Sequence, residues 1–354
     1  MNVNARQFQK KLILWFKENQ RPMPWRTKAD PYRIFVVEVM LQQTQIKTVI
    51  PYYKRWLKIF PNVRSLAEAP IDQVLKLWEG LGYYSRARNL HKAAQIIVGQ
   101  FGGKIPNDPK TLMTLPGIGR YTAGAISSIA FQKPVPLVDG NVARVFSRLF
   151  NIKKDILKPE TQKEFYALAE KLVPEKNPGI FNQALMELGS LVCIPEMPKC
   201  SVCPVKSLCL AFKKGDPSRL PVRSKAAPVK KIDMVVGIIR NNGKILIRKR
   251  PDQGIWGGLW EIPGTVCAKN ESLEEALTQE FKKTLQLSVT SMFKLTPLEH
   301  RFTHRQAFIY PFVCSVKKNG RTESNGIKTK WVDANQLKTF SFPVPHQKIL
   351  AGKD

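Results

Sequence analysis

The sequence predicts a protein of two domains, an all-α domain followed by an α+β domain. Its 354 residues, 43% of them hydrophobic, are enough to bury two separate cores. Up to residue 212 the apolar residues recur mainly at helical spacing, whereas 234–239 and 245–247 flank a turn at Asn242 and Gly243, a β-hairpin pattern. We therefore expect domains at 1–212 and 232–354, joined by a basic linker at 213–231.

The chain carries a large positive charge. Fifty-seven Lys and Arg residues against 27 Asp and Glu residues give a formal net charge of +30 and a pI of about 10.0. Such an excess predicts a polyanionic partner. A membrane would also attract it, but the sequence has no apolar run of about 18 residues and no amphipathic segment outside the helices that we expect to be packed. A nucleic acid is therefore the expected partner, and a membrane is not.

The N-terminal segment predicts a packed helix and not a targeting peptide. Its apolar run, Leu12 to Phe16, is too short for a signal sequence, whereas Phe8, Leu12, Trp15 and Phe16 share one helical face. We expect the protein in the cytoplasm, where thiols stay reduced.

A single carboxyl group stands out in the second predicted helix. Asp30 and Pro31 are good residues for the N-cap and the first turn, and the apolar helix that they open runs to Leu41. Glu38 is the only ionisable residue between Ile34 and Leu41. Burial would raise its pKa, as a general acid near neutral pH requires. A side chain that points to solvent is the alternative.

A Gly-rich turn lies in the middle of the first domain. Residues 115–119, LPGIG, form a turn that allows close approach of a partner, and a helix from about Arg120 aims its N-terminus there. A DNA phosphate fits such a place, although an ordinary turn between two helices is also possible. A segment that contains Pro134 and Pro136 then leads to Asp139. We expect two more amphipathic helices in 144–188.

Four cysteines follow within 17 residues. The spacing of residues 193–209 is C-x6-C-x2-C-x5-C, and four thiolates hold either zinc or a [4Fe–4S] cluster; spacing alone does not choose between them. The ligands would be Cys193, Cys200, Cys203 and Cys209. Two further cysteines, Cys267 and Cys314, lie far away and are expected to be buried.

Together, the LPGIG turn and the four cysteines resemble the helix-hairpin-helix glycosylases of the endonuclease III superfamily. Members that also cut the DNA strand carry a lysine after the hairpin arginine, where it acts as a Schiff-base nucleophile. This chain has Tyr121 there. The departure indicates the adenine glycosylase branch, the MutY family, and implies that the cysteines hold a [4Fe–4S] cluster.

The resemblance also implies roles for individual residues. Glu38 would protonate the departing adenine and Asp139 would be the catalytic aspartate, with Tyr121 and Asn141 positioning them. The segments RPMPWR, LQQT and GLGYYSRA are similar to family motifs at the adenine pocket and on the duplex. Residues that the family would place on the base or the DNA are Arg21, Arg26, Leu41, Gln43, Thr44, Tyr83, Gly117, Gly119 and Gln183.

The C-terminal part resembles the Nudix-like domain of the same family. Residues 256–264 are similar to its G-L-W-E-x-P-G motif, but the helix that should carry magnesium-binding acids has Lys283 and Thr284 in their place. We therefore expect no nucleotide hydrolysis. Phe302, Thr303 and His304 resemble the F-S-H loop that contacts 8-oxoguanine, with threonine replacing serine. A metal site formed by His300 and His304 is a weaker interpretation.

The resemblance thus implies a monomeric, monofunctional DNA glycosylase of base excision repair, in the bacterial cytoplasm and associated with the nucleoid. Its substrate would be double-stranded DNA with adenine opposite 8-oxoguanine or guanine. An endonuclease III-like enzyme for oxidised pyrimidines is the alternative, and Tyr121 and the C-terminal domain oppose it. A non-catalytic DNA-binding redox protein would have no use for Glu38 and Asp139. A Nudix hydrolase is opposed by Lys283 and Thr284.

Overall fold

The chain divides into two compact units. The structure, a computed structural model, describes residues 3–27, 29–225, 228–302, 305–317, 323–324 and 327–352. The first unit comprises 1–69 and 89–225, and the second comprises 70–88 and 226–354. This grouping differs from the sequence-based division in assigning 70–88 to the second unit. Two side chains of this segment bond to the C-terminal residues: Lys76 Nζ donates to Phe340 O, and Glu79 Oε1 accepts from Phe342 N.

The first 225 residues are helical. The α-helices, in chain order, are α1 Ala5–Asn19, α2 Pro31–Leu41, α3 Ile46–Ile59, α4 Val63–Glu68, α5 Ile71–Trp78, α6 Ser85–Phe101, α7 Pro109–Thr114, α8 Arg120–Ala125, α9 Gly140–Leu149, α10 Pro159–Leu172, α11 Pro178–Leu191 and α12 Leu210–Lys213. A π-helical turn, Ile126–Ala130, continues α8. No helix among the described residues is both long and apolar enough to cross a bilayer.

Capping and first-turn residues fix where several of these helices begin. The side chain of Asp30 accepts a hydrogen bond from Arg33 N and Pro31 occupies the first turn of α2, as predicted. In α1, Phe8, Leu12 and Phe16 are buried on one face. The prediction of two helices within 144–188 is wrong, because Pro159 and Pro178 each begin a new helix after α9.

The C-terminal residues form a mixed sheet between two helices. Its elements are β1 Lys230–Asn241, β2 Lys244–Lys249, β3 Trp260–Glu261, β4 Gly264–Val266, α13 Leu273–Leu285, β5 Val289–Lys294, β6 Leu298–Arg301, β7 Arg305–Val316, β8 Glu323–Ser324, β9 Ile327–Asp333 and α14 Val344–Leu350. The strand order is β5-β7-β1-β2-β9-β8. Strands β1 and β7 pair in parallel, while β1 and β2 form the predicted hairpin through Asn242 and Gly243 at φ 48° and 75°.

Successive side chains of β1 point to opposite faces of the sheet, so this strand contributes to two core clusters. Met234, Val236 and Ile238 pack in one cluster that includes Ile349 of α14, while Val235 and Ile239 pack with α13. Cys314 is buried in the second cluster, as expected. Cys267, expected to be buried, is only partly so, because it follows the short strand β4 at the rim of that cluster.

The predicted linker is partly packed. Leu220 is buried, and its main-chain oxygen accepts a hydrogen bond from Arg148 Nε at 2.8 Å. Val222 forms an isolated parallel bridge with Asp155. The stretch 213–222 therefore belongs to the surface of the first unit, and β1 begins only at Lys230.

Candidate active site

Glu38 is a buried acid on α2. Residues from Ile34 to Met40 are all buried, and Glu38 is only 4% exposed. Burial raises the pKa of Glu38 from its ordinary 4.5 to about 7; a hydrogen bond from Tyr121 opposes this rise, and the charge of Asp139 adds to it. A glutamate in this state is an effective proton donor near neutral pH.

Tyr121 on α8 contacts this carboxyl directly. Its hydroxyl donates to Glu38 Oε2 at 3.0 Å and lies 3.3 Å from Met186 Sδ. Burial, followed by the nearby Glu38 and Asp139, raises the pKa of Tyr121 well above its ordinary value. The phenol is therefore a neutral donor, which fixes the orientation of the Glu38 carboxyl.

Asp139 is the N-cap of α9. Its Oδ1 accepts from Val142 N at 2.7 Å, and its Oδ2 accepts from Asn141 Nδ2 at 2.8 Å. Burial raises the pKa of Asp139 above its ordinary value, and these hydrogen bonds offset only part of that rise. The helix start thus holds the carboxyl group in one orientation.

Arg144 connects this aspartate to the cysteine segment, a role that the sequence analysis missed. Its Nη2 donates to Asn141 Oδ1 and to Gly189 O, and its Nε donates to Cys193 O at 2.7 Å. Arg144 is only 9% exposed, and its neighbours from Val142 to Phe146 are apolar and buried. An arginine on the buried face of a helix is the signal that could have identified it.

Glu187 is a second missed residue. It is 2% exposed on α11 and forms ion pairs with Arg21 at 2.8 Å and with Arg26 at 3.1 Å. Burial alone would raise the pKa of Glu187, but the hydrogen bonds from these arginines lower it to about 2. Arg26 Nε also donates to Gln183 Oε1 at 3.2 Å. A lone acid in an apolar helix, the signal used for Glu38, applies equally to Glu187.

These side chains enclose one cavity of about 200 Å³, which we call the Glu38 cavity. Its lining includes apolar side chains such as Trp25, Ile46 and Met186. The predicted site residues that it brings together are Arg21, Arg26, Glu38, Leu41, Thr44, Tyr121, Asp139, Asn141 and Gln183. Gln43 is not among its lining residues; it is exposed, with a φ of 57°.

The Gly-rich turn lies just before α8. Gly117 has a φ of 78°, and a Cβ there would lie 2.9 Å from Asn89 Cβ, so only glycine fits. Gly119 is the N-cap of α8 and a Cβ on it would meet no atom within 4 Å. Both glycines are exposed. The space outside Gly119 is therefore open to a partner.

The four clustered cysteines line one small cavity. None of these four cysteines is in a disulfide, and the buried Arg148 donates from Nη1 to Cys193 Sγ at 3.3 Å. Among the described residues, no three His, Cys, Asp or Glu side chains converge closely enough to form a metal site as they stand. The shared cavity and the thiol donor set nevertheless fit a tetrahedral metal or an iron–sulfur cluster.

Tyr83 and Phe302 line a separate cavity of about 530 Å³ within the second unit. Tyr83 is 41% exposed with a φ of 48°, and Phe302 packs against Trp256 and His300 at centroid distances of 5.2 and 4.8 Å. We call this the Tyr83 cavity. Thr303 and His304 lie outside the described residues.

Comparisons with known proteins agree with this architecture. Residues 36–175 match the family described as "HhH-GPD superfamily base excision DNA repair protein", and residues 235–352 match "NUDIX domain". The adenine DNA glycosylase of Buchnera aphidicola subsp. Baizongia pistaciae is 33% identical over 345 residues, covering 97% of this chain and 95% of the relative. The adenine DNA glycosylase of Homo sapiens is 36% identical, covering 84% of this chain and 65% of the relative.

Solved structures resemble the helical part. A thermostable thymine-DNA glycosylase aligns with a TM-score of 0.54 and 28% identity, covering 59% of this chain and 97% of that one. A non-covalent endonuclease III–DNA complex aligns with a TM-score of 0.51 and 25% identity, covering 60% and 99%.

Proposed function

Because this chain belongs to the adenine DNA glycosylase family, we propose that it hydrolyses the N-glycosidic bond of adenine opposite 8-oxoguanine or guanine in duplex DNA. The observation that carries the proposal is the buried Glu38, whose pKa is about 7, in the same cavity as Asp139. Two carboxyl groups with different environments are what acid-assisted cleavage of a glycosidic bond requires.

The chemical step divides between these carboxyls. Glu38 transfers its proton to adenine as the bond between the base and the sugar breaks, and the bonding electrons leave with the base. Positive charge then develops on the sugar, where the Asp139 carboxylate stabilises it or bonds to it transiently. Water completes the hydrolysis. Tyr121 and Asn141 act as positioning residues, because each hydrogen-bonds one carboxyl.

The enzyme is monofunctional in this proposal. A Schiff base needs a neutral amine close to the sugar, and the cavity residue on α8 is Tyr121. The product is therefore an intact strand with an abasic site, which breaks only when alkali is added.

The polar side of the Glu38 cavity would recognise the extruded adenine. Arg21, Arg26 and Gln183 lie there, and Glu187 holds both arginines in place. A base in a duplex must be flipped out to reach a buried acid. Leu41, Gln43 and Thr44 would contact the duplex beside the gap, and the turn with Gly117 and Gly119 would bind a phosphate.

The second unit would read the opposite base. Tyr83 is an exposed aromatic residue on the Tyr83 cavity and suits insertion into base steps. Phe302 lines the same cavity, and with Thr303 and His304 it would distinguish 8-oxoguanine from guanine. The lesion differs from guanine by a C8 carbonyl and an N7 hydrogen, and hydrogen-bonding sites discriminate such changes well.

The four cysteines would hold a [4Fe–4S] cluster. Cys193, Cys200, Cys203 and Cys209 supply the thiolates, and the cluster would brace the chain after α11. Arg144 links Cys193 O to Asn141, which bonds Asp139. This segment therefore supports the geometry of the catalytic aspartate.

A set of duplexes tests the proposal under single turnover. The duplexes carry A opposite 8-oxoguanine, A opposite G, A opposite C, or thymine glycol, and strands are compared with and without alkali. We expect release of adenine from the first two and breakage only after alkali. Cleavage of the thymine glycol strand without alkali would favour the endonuclease III-like alternative.

A further inference from the structure

A buried arginine sits between two carboxylates in the second unit. Arg248 on β2 is 7% exposed, and its Nε donates to Glu261 Oε1 at 2.9 Å. Its Nη1 donates to Glu280 Oε1 at 2.5 Å and to Thr284 Oγ1 at 3.3 Å, and its Nη2 donates to Gly264 O at 2.6 Å. One guanidinium thus has four oxygen partners from three different elements.

These four oxygens form the kind of ligand set that a hard divalent cation prefers. Magnesium and manganese are bound by carboxylates together with carbonyl, hydroxyl and water oxygens. Glu261 lies on β3, Gly264 begins β4, and Glu280 and Thr284 are one turn apart on α13. Backbone packing fixes the carbonyl, because a Cβ on Gly264 would lie 2.1 Å from Val235 O.

The charges at this place are already balanced. Arg250 pairs with the second oxygen of Glu261, so two guanidinium groups face two carboxylates. The residues therefore do not fit the magnesium that a working Nudix site would hold. A cation entering between Glu261 and Glu280 would meet the charge of Arg248 instead of free ligands.

We propose that the Arg248 guanidinium is a built-in cation that fills a latent divalent-metal site made by Glu261, Glu280, Thr284 and the Gly264 carbonyl. The second unit consequently keeps this part of its fold without bound metal. A cavity of about 630 Å³ lined by these residues gives a hydrated ion access from outside. Removing Arg248 leaves one uncompensated carboxylate charge and takes away the donor that these four oxygens share, while Glu261 keeps Arg250 and Thr284 Oγ1 still donates to Glu280 O at 2.7 Å.

Binding of Mn²⁺, followed by electron paramagnetic resonance on the full-length protein, tests the proposal. We expect the Arg248→Ala variant to bind about one Mn²⁺ per chain at least roughly tenfold more tightly than the parent does. Adding Glu280→Gln to this variant should abolish the gain. Lys249→Ala is the matched control, because it removes the same charge from the next residue, whose Nζ pairs with Asp72.

Two outcomes would overturn the proposal. One is an Arg248→Ala protein that binds Mn²⁺ no better than the parent or the Lys249→Ala control. The other is an Arg248→Ala protein that unfolds in chelator and is not restored by Mn²⁺, since a latent metal site would allow the ion to replace the lost guanidinium. Restoration of its melting temperature by Mn²⁺, absent when Glu280→Gln is added, would support the proposal.

Discussion

Because burial raises the pKa of Glu38, the free energy of unfolding should fall as the pH rises. The group is protonated below its unfolded pKa of about 4.5, in both the folded and unfolded chain. As pH rises toward the folded pKa of about 7, the unfolded chain loses the proton first, so stability falls across this window. Each unit of pKa difference is worth about 1.4 kcal/mol, so the loss above pH 7 is about 3 kcal/mol.

The substitution Glu38→Gln removes this effect, because glutamine never ionises and keeps an oxygen for the Tyr121 hydroxyl. The variant should be more stable than the parent by up to about 3 kcal/mol at about pH 8.5, and by less than about 1 kcal/mol at about pH 5. Denaturant unfolding followed by far-ultraviolet circular dichroism measures both differences.

The matched control is Glu170→Gln. Glu170 lies on α10 with its side chain 56% exposed and pairs with Arg120 at 3.0 Å. Its removal should change stability by less than about 0.5 kcal/mol at either pH. A Glu38→Gln protein that is no more stable than the parent at the higher pH would refute the burial argument.

Three further results are expected. Tyr121→Phe should move the midpoint of the pH–rate profile for base release upward, because in the parent the hydrogen bond from Tyr121 lowers the pKa of Glu38 and the variant lacks it. Single-turnover rates from acid to alkaline pH measure this midpoint. Phe302→Ala should reduce the rate preference for 8-oxoguanine over guanine by about tenfold, measured on paired duplexes. The purified protein should be brown, with absorbance at about 400 nm and roughly four irons per chain. The Cys203→Ser variant should lose the absorbance and the iron. One zinc and no iron in the parent protein would contradict this.

Local sequence signals predicted the parts of the site that depend on one segment. Asp30 and Pro31 begin α2, and the apolar run around Glu38 forces its carboxyl into the interior. The hairpin at Asn242 and Gly243 follows from turn chemistry alone. The class of both domains was predicted for the same reason, because helical and alternating periodicity are properties of short windows.

Contacts between distant segments could not be predicted in this way. Glu187 bonds Arg21 across 166 residues, and Arg248 bonds Glu280 on another element. In the sequence, Glu187 looks like an isolated acid in an apolar helix. Only the fold shows which arginine it compensates, because long-range pairing depends on tertiary packing that periodicity does not encode.

We propose that Glu38 and Asp139 perform the chemical step and are not required for binding of the duplex. Single-turnover release of adenine opposite 8-oxoguanine, measured beside duplex affinity, tests it directly for Glu38→Gln and Asp139→Asn. Each variant should bind the duplex with nearly parental affinity and release no detectable base. A Glu38→Gln protein that excises adenine at a near-parental rate would contradict the account.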